Sequence, residues 1–220
     1  MSARGQTARA IFIAALLALP GIAAALEYQV DTANSSILIY TEKSGALSFF
    51  AHKHLIAITA LQGQVSLTDE QSAAQLQMRP VDFVVDDPEL RALETEKAYR
   101  KPFKASAING TRQNMLGEDL LNAEQFPSIE LSIVLKSRNG EQAVFAVSTE
   151  LVGEPVEFDV PGRLIANDDE LHATADFVLT HKQLGLRPFS LLGVANVGQD
   201  IRFKLDIKAR PVVPQNTATP

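Results

Sequence analysis

Residues 49–63 read F-F-A-H-K-H-L-I-A-I-T-A-L-Q-G. The run is long, mostly apolar and rich in β-branched and aromatic side chains, with Gly45 and Gly63 nearby, which is the pattern of a strand. Successive side chains of a strand point to opposite faces. One face then carries Phe50, His52, His54, Ile56 and Ile58, and the other Phe49, Ala51, Lys53, Leu55 and Ala57. Lys53 marks the second face as the wetter one, so both histidines are expected on the inner face. Imidazoles beside phenylalanine and isoleucine need partners there, because an unpaired buried polar group is costly.

Outward from this stretch, the pattern stays β for most of the chain. Tyr28–Val30 and Ile37–Thr41 form a first strand interrupted at Asn34-Ser35-Ser36, and Gln64–Thr68 continues or pairs with the histidine strand. Leu76–Val85 is a further β-rich run, with Pro80 marking an edge or a bulge. Asp87-Pro88 then starts a helix, Asp87 as N-cap and Pro88 in the first turn, with Leu90, Leu93 and Lys97 on one side. A second helix is expected over about Ser106–Leu116, ending at Gly117, with Ile108, Met115 and Leu116 inward. Past Phe126-Pro127 the strands resume. Ser128–Lys136 and Gln142–Glu150 flank Asn139-Gly140, a strong hairpin signal. Pro155–Val160, Arg163–Ile165 and Glu170–Thr180 follow, turned at Pro161-Gly162 and Asn167-Asp168-Asp169. Ile201–Ile207 alternates cleanly and is the last strand. About eight strands with one helical insertion and no βαβ alternation make a mainly β protein, an antiparallel barrel or a sandwich. A closed eight-stranded barrel leaves room inside for one small ligand.

The totals narrow the function. Residues 1–25 read as a signal peptide: Arg4 and Arg9 form a basic start, Ala10–Leu19 is an apolar run, and Ala23-Ala24-Ala25 supplies small residues for cleavage. That segment is too short to be an ordinary span, so an exported mature chain starting at Leu26 is expected. Cleavage leaves 195 of the 220 residues and moves the formal charge from −6 to −8, a poor balance for nucleic acid. No other segment is apolar enough to be transmembrane. One domain is expected over 26–210, with a disordered Pro- and Thr-rich tail over 211–220. The chain contains no cysteine, which removes thiol chemistry and zinc knuckles from consideration.

Several residues could carry chemistry. His52 and His54, two apart on a strand, present two imidazoles to one side, a common start for a zinc or copper site. His181, at the end of a strand, is the candidate third ligand. The competing reading has the pair lining a polar pocket or capping backbone groups without metal, and it is preferred. The acids between Asp86 and Glu96 fit a solvated helix face better than a catalytic carboxylate pair. Arg112 could hold an anionic head group at a barrel mouth, though a salt bridge to Glu118 or Asp119 is favoured. Leu184–Ser190 is too apolar for an ordinary surface loop and either folds over a barrel end or plugs the core. Serine-hydrolase, zincin, phosphate-loop and dinucleotide motifs are absent, so no enzyme is expected.

Taken in order, the motifs resemble one family. They are Tyr28-x-Val-Asp31 with Asn34-Ser35, a His-rich strand ending Leu61-x-Gly63-x-Val65, and Asp86-Asp87-Pro88-Glu89-Leu90-Arg91. Thr111-Arg112-x-x-Met115, Leu121-x-Ala123-x-x-Phe126-Pro127-x-Ile129 and Gly185-Leu186-x-Pro188-x-Ser190 complete them. The chain is thereby similar to the YceI-like family. That resemblance implies an eight-stranded antiparallel lipocalin-like barrel, exported to the periplasm, binding a polyisoprenoid or similar lipid inside the barrel. Gln183-Leu184-Gly185-Leu186 stands where the family commonly has Asp-Phe-Gly-Ile. The expected ligand contacts are Phe50, His52, His54, Ile56, Ile58, Arg112, Leu186 and Phe189. No cofactor is required beyond a bound isoprenoid lipid, and homodimerisation is left open. The alternative is a periplasmic metal- or haem-associated protein using His52, His54 and His181.

Overall fold

The computed structural model describes residues 26–44, 53–68, 72–167, 169–186, 190–191 and 195–212. The expected signal peptide, Phe50, His52, Phe189 and the tail beyond Val212 lie outside these residues.

Among the described residues twelve strand segments build one antiparallel sheet that closes on itself. They are β1 Leu26–Val30, β2 Ser36–Ser44, β3 Leu55–Ile58, β4 Gln62–Leu67, β5 Ala73–Met78, β6 Val84–Val85, β7 Ile129–Asn139, β8 Gln142–Leu151, β9 Glu154–Ala166, β10 Leu171–Thr180, β11 Ser190–Leu191 and β12 Ala195–Pro211. The path β1-β4-β5-β7-β8-β9-β10-β12 returns to β1 through Val30↔Ala209, a closed barrel of eight strands. β2, β3 and β6 extend three of those strands toward one end, where β12 pairs with β2, β2 with β3 and β3 with β6. The breaks between the halves fall at a 3-10 turn over Thr32–Asn34, at 59–61, and at a 3-10 turn over Pro80–Asp82. The third break is the one Pro80 announced. A proline lacks the N–H that a ladder needs and fits the start of a turn.

Between β6 and β7 the chain makes α1 Pro88–Leu93, α2 Lys97–Arg100 and α3 Ala105–Leu116. Asp87 caps α1, its Oδ1 accepting from the backbone N–H of Glu89 and Leu90 at 2.9 and 3.0 Å. α3 ends at Gly117, and Ile108, Met115 and Leu116 pack against the core. α1 stops at Leu93, whose side chain is 80% exposed. Leu90, Leu93 and Lys97 therefore do not share one helix: Lys97 starts α2.

Three further expectations change. The histidine stretch is not one strand: β3 covers only Leu55–Ile58 and β4 starts at Gln62. Nor is its second face wet, for all four residues of β3 are buried. Leu55 packs with Tyr40 and Tyr99, and Tyr99 belongs to α2. Lys53 lies over the Tyr99 ring, 5.0 Å from its centroid, and pairs with Glu96 at 2.8 Å. Finally, Pro161-Gly162 is no turn, since β9 runs straight through it, Pro161 opposite Val144 and Gly162 opposite Ala143. A Cβ at Gly162 would sit 2.6 Å from the Thr174 carbonyl oxygen. Glycine is needed there for close strand approach, a role that looks like a turn signal in sequence. Pro211, expected in the tail, ends β12, and the Val212 N–H donates to the Glu27 carbonyl at 2.7 Å.

Candidate ligand-binding site

Alternation along the strands sends one row of each into the barrel. Ile37, Ile39 and Thr41 come from β2, Ile56 and Ile58 from β3, and Ala173, Ala175, Phe177 and Leu179 from β10. β12 adds Ile201, Phe203, Leu205 and Ile207. These rows do not meet in the middle. They enclose a cavity of about 290 Å³ whose described polar lining is Thr41, Ser72, Thr149, Thr174 and His181. A void in a packed core costs on the order of 24 cal/mol per Å³. At 290 Å³ that is roughly 7 kcal/mol, comparable with the whole stability of a domain. A hollow of that size is an uneconomical way to fill a core, and it suits an apolar occupant.

The sheet also parts at one place. β9 and β10 pair from Leu171↔Ala166 to Ala175↔Gly162, while β9 follows β8 on to Glu154 and β10 follows β12 to Thr180. Beyond Gly162 the two strands have no ladder between them among the described residues. Phe158 and Phe177 face each other there, centroids 6.3 Å apart, and Phe177 stacks on Phe203 at 5.3 Å. The turn after β10 fills the gap. The Leu184 N–H donates to the carbonyls of Thr180 and His181, and the Leu186 N–H to His181. Gln183 Oε1 accepts from the Thr180 N–H at 2.9 Å. Leu184 is buried against Leu151, Val156, Leu179 and Ile201. Gly185 takes φ +66°, a left-handed conformation that suits glycine. Leu184–Leu186 thus pack into the gap in the wall, while 187–189 of the apolar segment lie outside the described residues.

A separate polar cluster lies beneath α1 and α2. Asp86 sits at φ +52° and is 1% exposed. Its Oδ2 lies 2.6 Å from His54 Nδ1, while Oδ1 accepts from Arg91 Nη1 at 2.5 Å and from the Leu55 N–H at 2.9 Å. Arg91, also 1% exposed, donates through Nε to the Lys101 carbonyl and through Nη1 to that of Lys53. The Phe103 ring stacks near His54, at 5.4 Å, and near the Arg91 guanidinium, at 4.6 Å. Every polar group there is drawn into one network, which binds β3 and the end of β6 to the helical insert.

The expected site residues therefore separate. Ile56, Ile58 and Leu186 line the cavity, and so does His181. His54 follows the inward row of β3 yet is held by Asp86, outside the cavity wall. Arg112 makes no salt bridge to Glu118 or Asp119 and instead donates to the Val81 carbonyl, tying α3 to the turn before β6. Among the described residues no three His, Cys, Asp or Glu side chains gather as a metal site. Sequence reading missed Asp86 and Arg91 as a buried pair. Their five-residue spacing across a helix start is the available signal, but the same spacing fits a solvated helix face.

Comparison with known proteins agrees with this fold. The profile of the YceI-like domain matches residues 28–209. No curated protein matches the sequence. Among solved structures, BcnA of Burkholderia cenocepacia superposes with a TM-score of 0.57 at 11% identity, covering 81% of this chain and 98% of its own. A polyisoprenoid binding domain from Saccharophagus degradans, implicated in plant cell wall breakdown, gives 0.57 at 11% identity, with 85% and 99% covered. The YCEI protein of Campylobacter jejuni gives 0.51 at 7% identity, with 72% and 85% covered.

Proposed function

The chain belongs to the YceI-like family, and from that membership and its hollow core we propose that it is a binding protein that holds an apolar chain inside the barrel. The observation that carries this is the 290 Å³ cavity lined by aliphatic and aromatic side chains. Each methylene moved from water into such a lining contributes about 0.8 kcal/mol. Ten buried carbons would thus supply roughly 8 kcal/mol before the cost of association is subtracted. Chain length and shape are then the main selectors, and the likeness to a polyisoprenoid binding domain supports an isoprenoid as the chain. The role needs no bond-making step, so the protein acts by sequestration and not as an enzyme.

Residues 1–25 have the composition of a cleavable export signal, and no helix among the described residues is long and apolar enough to cross a membrane. The working place proposed is the periplasm, with the mature chain starting at Leu26. N-terminal sequencing of the secreted form tests this, and an intact Met1 on the working protein would overturn it.

Titration with a fluorescent apolar dye tests the cavity. Ala173 lines it and is partly buried, so Ala173→Phe fills space without adding charge. The variant is expected to bind at least tenfold more weakly while staying folded. Equal binding by both would move the site elsewhere.

A further inference from the structure

Residues 97–104 read K-A-Y-R-K-P-F-K, four cations and no acid in eight positions of an acidic chain. They run from α2 to the start of α3. Two aromatic side chains anchor the segment from beneath: Tyr99 packs edge-on against Tyr40, and Phe103 lies beside His54 and the Arg91 guanidinium. Arg91 also holds the backbone, donating to the carbonyls of Lys101 at 3.0 Å and Ala98 at 3.4 Å. Lys97, Arg100, Lys101 and Lys104 are all exposed. The buried Asp86–Arg91 network thus has a second effect, fixing a short segment whose outer side is cationic. Among the described residues these four side chains pair with no acid. The barrel wall differs, for Lys136 pairs with Asp159, Arg163 with Glu141, Arg202 with Asp176 and Arg210 with Asp31. The acids that precede the segment are engaged, Glu96 with Lys53 and Glu94 with the Tyr40 hydroxyl. Leu93, four positions before Lys97, is the most exposed large apolar side chain among the described residues. Fixed, unpaired cations beside a bare leucine match a negatively charged lipid surface, which attracts the charge and takes up the apolar side chain.

We propose that residues 97–104, with Leu93, dock the protein on an anionic bilayer surface, the helical insert facing the lipid. A cation beside such a surface contributes about fivefold in affinity, and the attraction fades within a Debye length. The formal charge of −6 on the whole chain repels the remainder from the same surface, which selects this orientation. Met115 of α3 and Leu121 just beyond it line the cavity, so docking brings the cavity wall to a source of apolar chains. The inference goes beyond the apolar-chain reading and does not depend on it.

Co-sedimentation with lipid vesicles tests it, using phosphatidylcholine alone and phosphatidylcholine mixed in equal parts with phosphatidylglycerol. The protein is purified without residues 1–25, whose apolar run would itself enter lipid; the described barrel begins at Leu26. The wild type should bind the anionic vesicles and not the neutral ones, and should release them in about 1 M salt, where the Debye length is about 3 Å. Lys97→Gln/Lys101→Gln removes two cations of the segment, and Lys136→Gln/Arg163→Gln two of the wall, all of them exposed. The first double variant should bind at least about tenfold more weakly, and the second like the wild type. Leu93→Ser should bind about fourfold more weakly, the share of one methylene removed from water. Uptake of a fluorescent apolar dye in solution should be the same in the wild type and the first double variant. A wild type that ignores anionic vesicles, binds neutral ones equally well, or loses affinity equally in the two double variants overturns the proposal. An unchanged Leu93→Ser overturns the leucine's part in it. A protein that binds anionic vesicles yet takes up no dye would leave the docking in place and overturn the apolar-chain reading instead.

Discussion

His54 Nδ1 and Asp86 Oδ2 meet at 2.6 Å beneath the helical insert, with Arg91 on the other carboxylate oxygen at 2.5 Å. The three side chains join a barrel strand to helix α1 through a carboxylate that is almost wholly out of water. Removing one partner of a buried ion pair leaves an uncompensated charge and costs about 3–5 kcal/mol. Asp86→Asn keeps the shape and tolerates the positive φ, so its effect reports the lost charge together with the acceptor that the amide nitrogen replaces. Urea denaturation should show a loss of that size for Asp86→Asn and a similar one for Arg91→Met. The double variant should lose less than the sum, because the two changes share one interaction. Additive losses would mean that the pair is not coupled.

The network also shows what a single sequence conveys. Asp87 and Pro88 announced α1 because capping is local, and Pro80 announced its break for the same reason. The alternation of Ile201, Phe203, Leu205 and Ile207 gave the inward row of β12 directly. The cavity-facing role of Ile56 and Ile58 followed from parity alone. What parity could not supply was the cover on the opposite face. Leu55 is buried because Tyr99 arrives from a helix 44 residues later. His54 is turned aside by Asp86, 32 positions away. Such partners are chosen by topology, and no local pattern encodes them.

Two glycines should respond in opposite directions to the same substitution. At Gly162 a Cβ would meet the Thr174 carbonyl oxygen at 2.6 Å and Ala175 Cβ at 3.2 Å. Gly162→Ala is expected to destabilise by about 1–3 kcal/mol, the usual range for overpacking. Gly110 lies inside α3 with nothing within 4 Å of the added carbon. Gly110→Ala should stabilise by about 0.5–1 kcal/mol through helix propensity. Thermal unfolding of the two variants beside the wild type measures both. A neutral Gly162→Ala would mean that β9 and β10 can relax apart below their divergence.

Alkaline stability should depend on Tyr40. Its phenol is buried and donates to Glu94 at 2.8 Å, and burial, reinforced by the Glu94 carboxylate, pushes its pKa well above the ordinary 10.0. A group held protonated in the fold supports folding fully below its unfolded value and loses that support as pH rises. Above about pH 10 the wild type should therefore lose stability more steeply than Tyr40→Phe, by up to roughly 1.4 kcal/mol per pH unit. Near neutrality Tyr40→Phe should be the weaker fold by about 1 kcal/mol, the lost hydrogen bond. Parallel stability curves from pH 7 to the alkaline limit would contradict this assignment.

The most direct test of the account is native mass spectrometry of the intact protein purified from its own cells, before and after extraction with organic solvent. The account predicts a single added mass, held one to one, released by the solvent and identified as a hydrocarbon-rich molecule. A protein that runs at its bare polypeptide mass throughout, and stays there after incubation with long-chain isoprenoid alcohols, would contradict it.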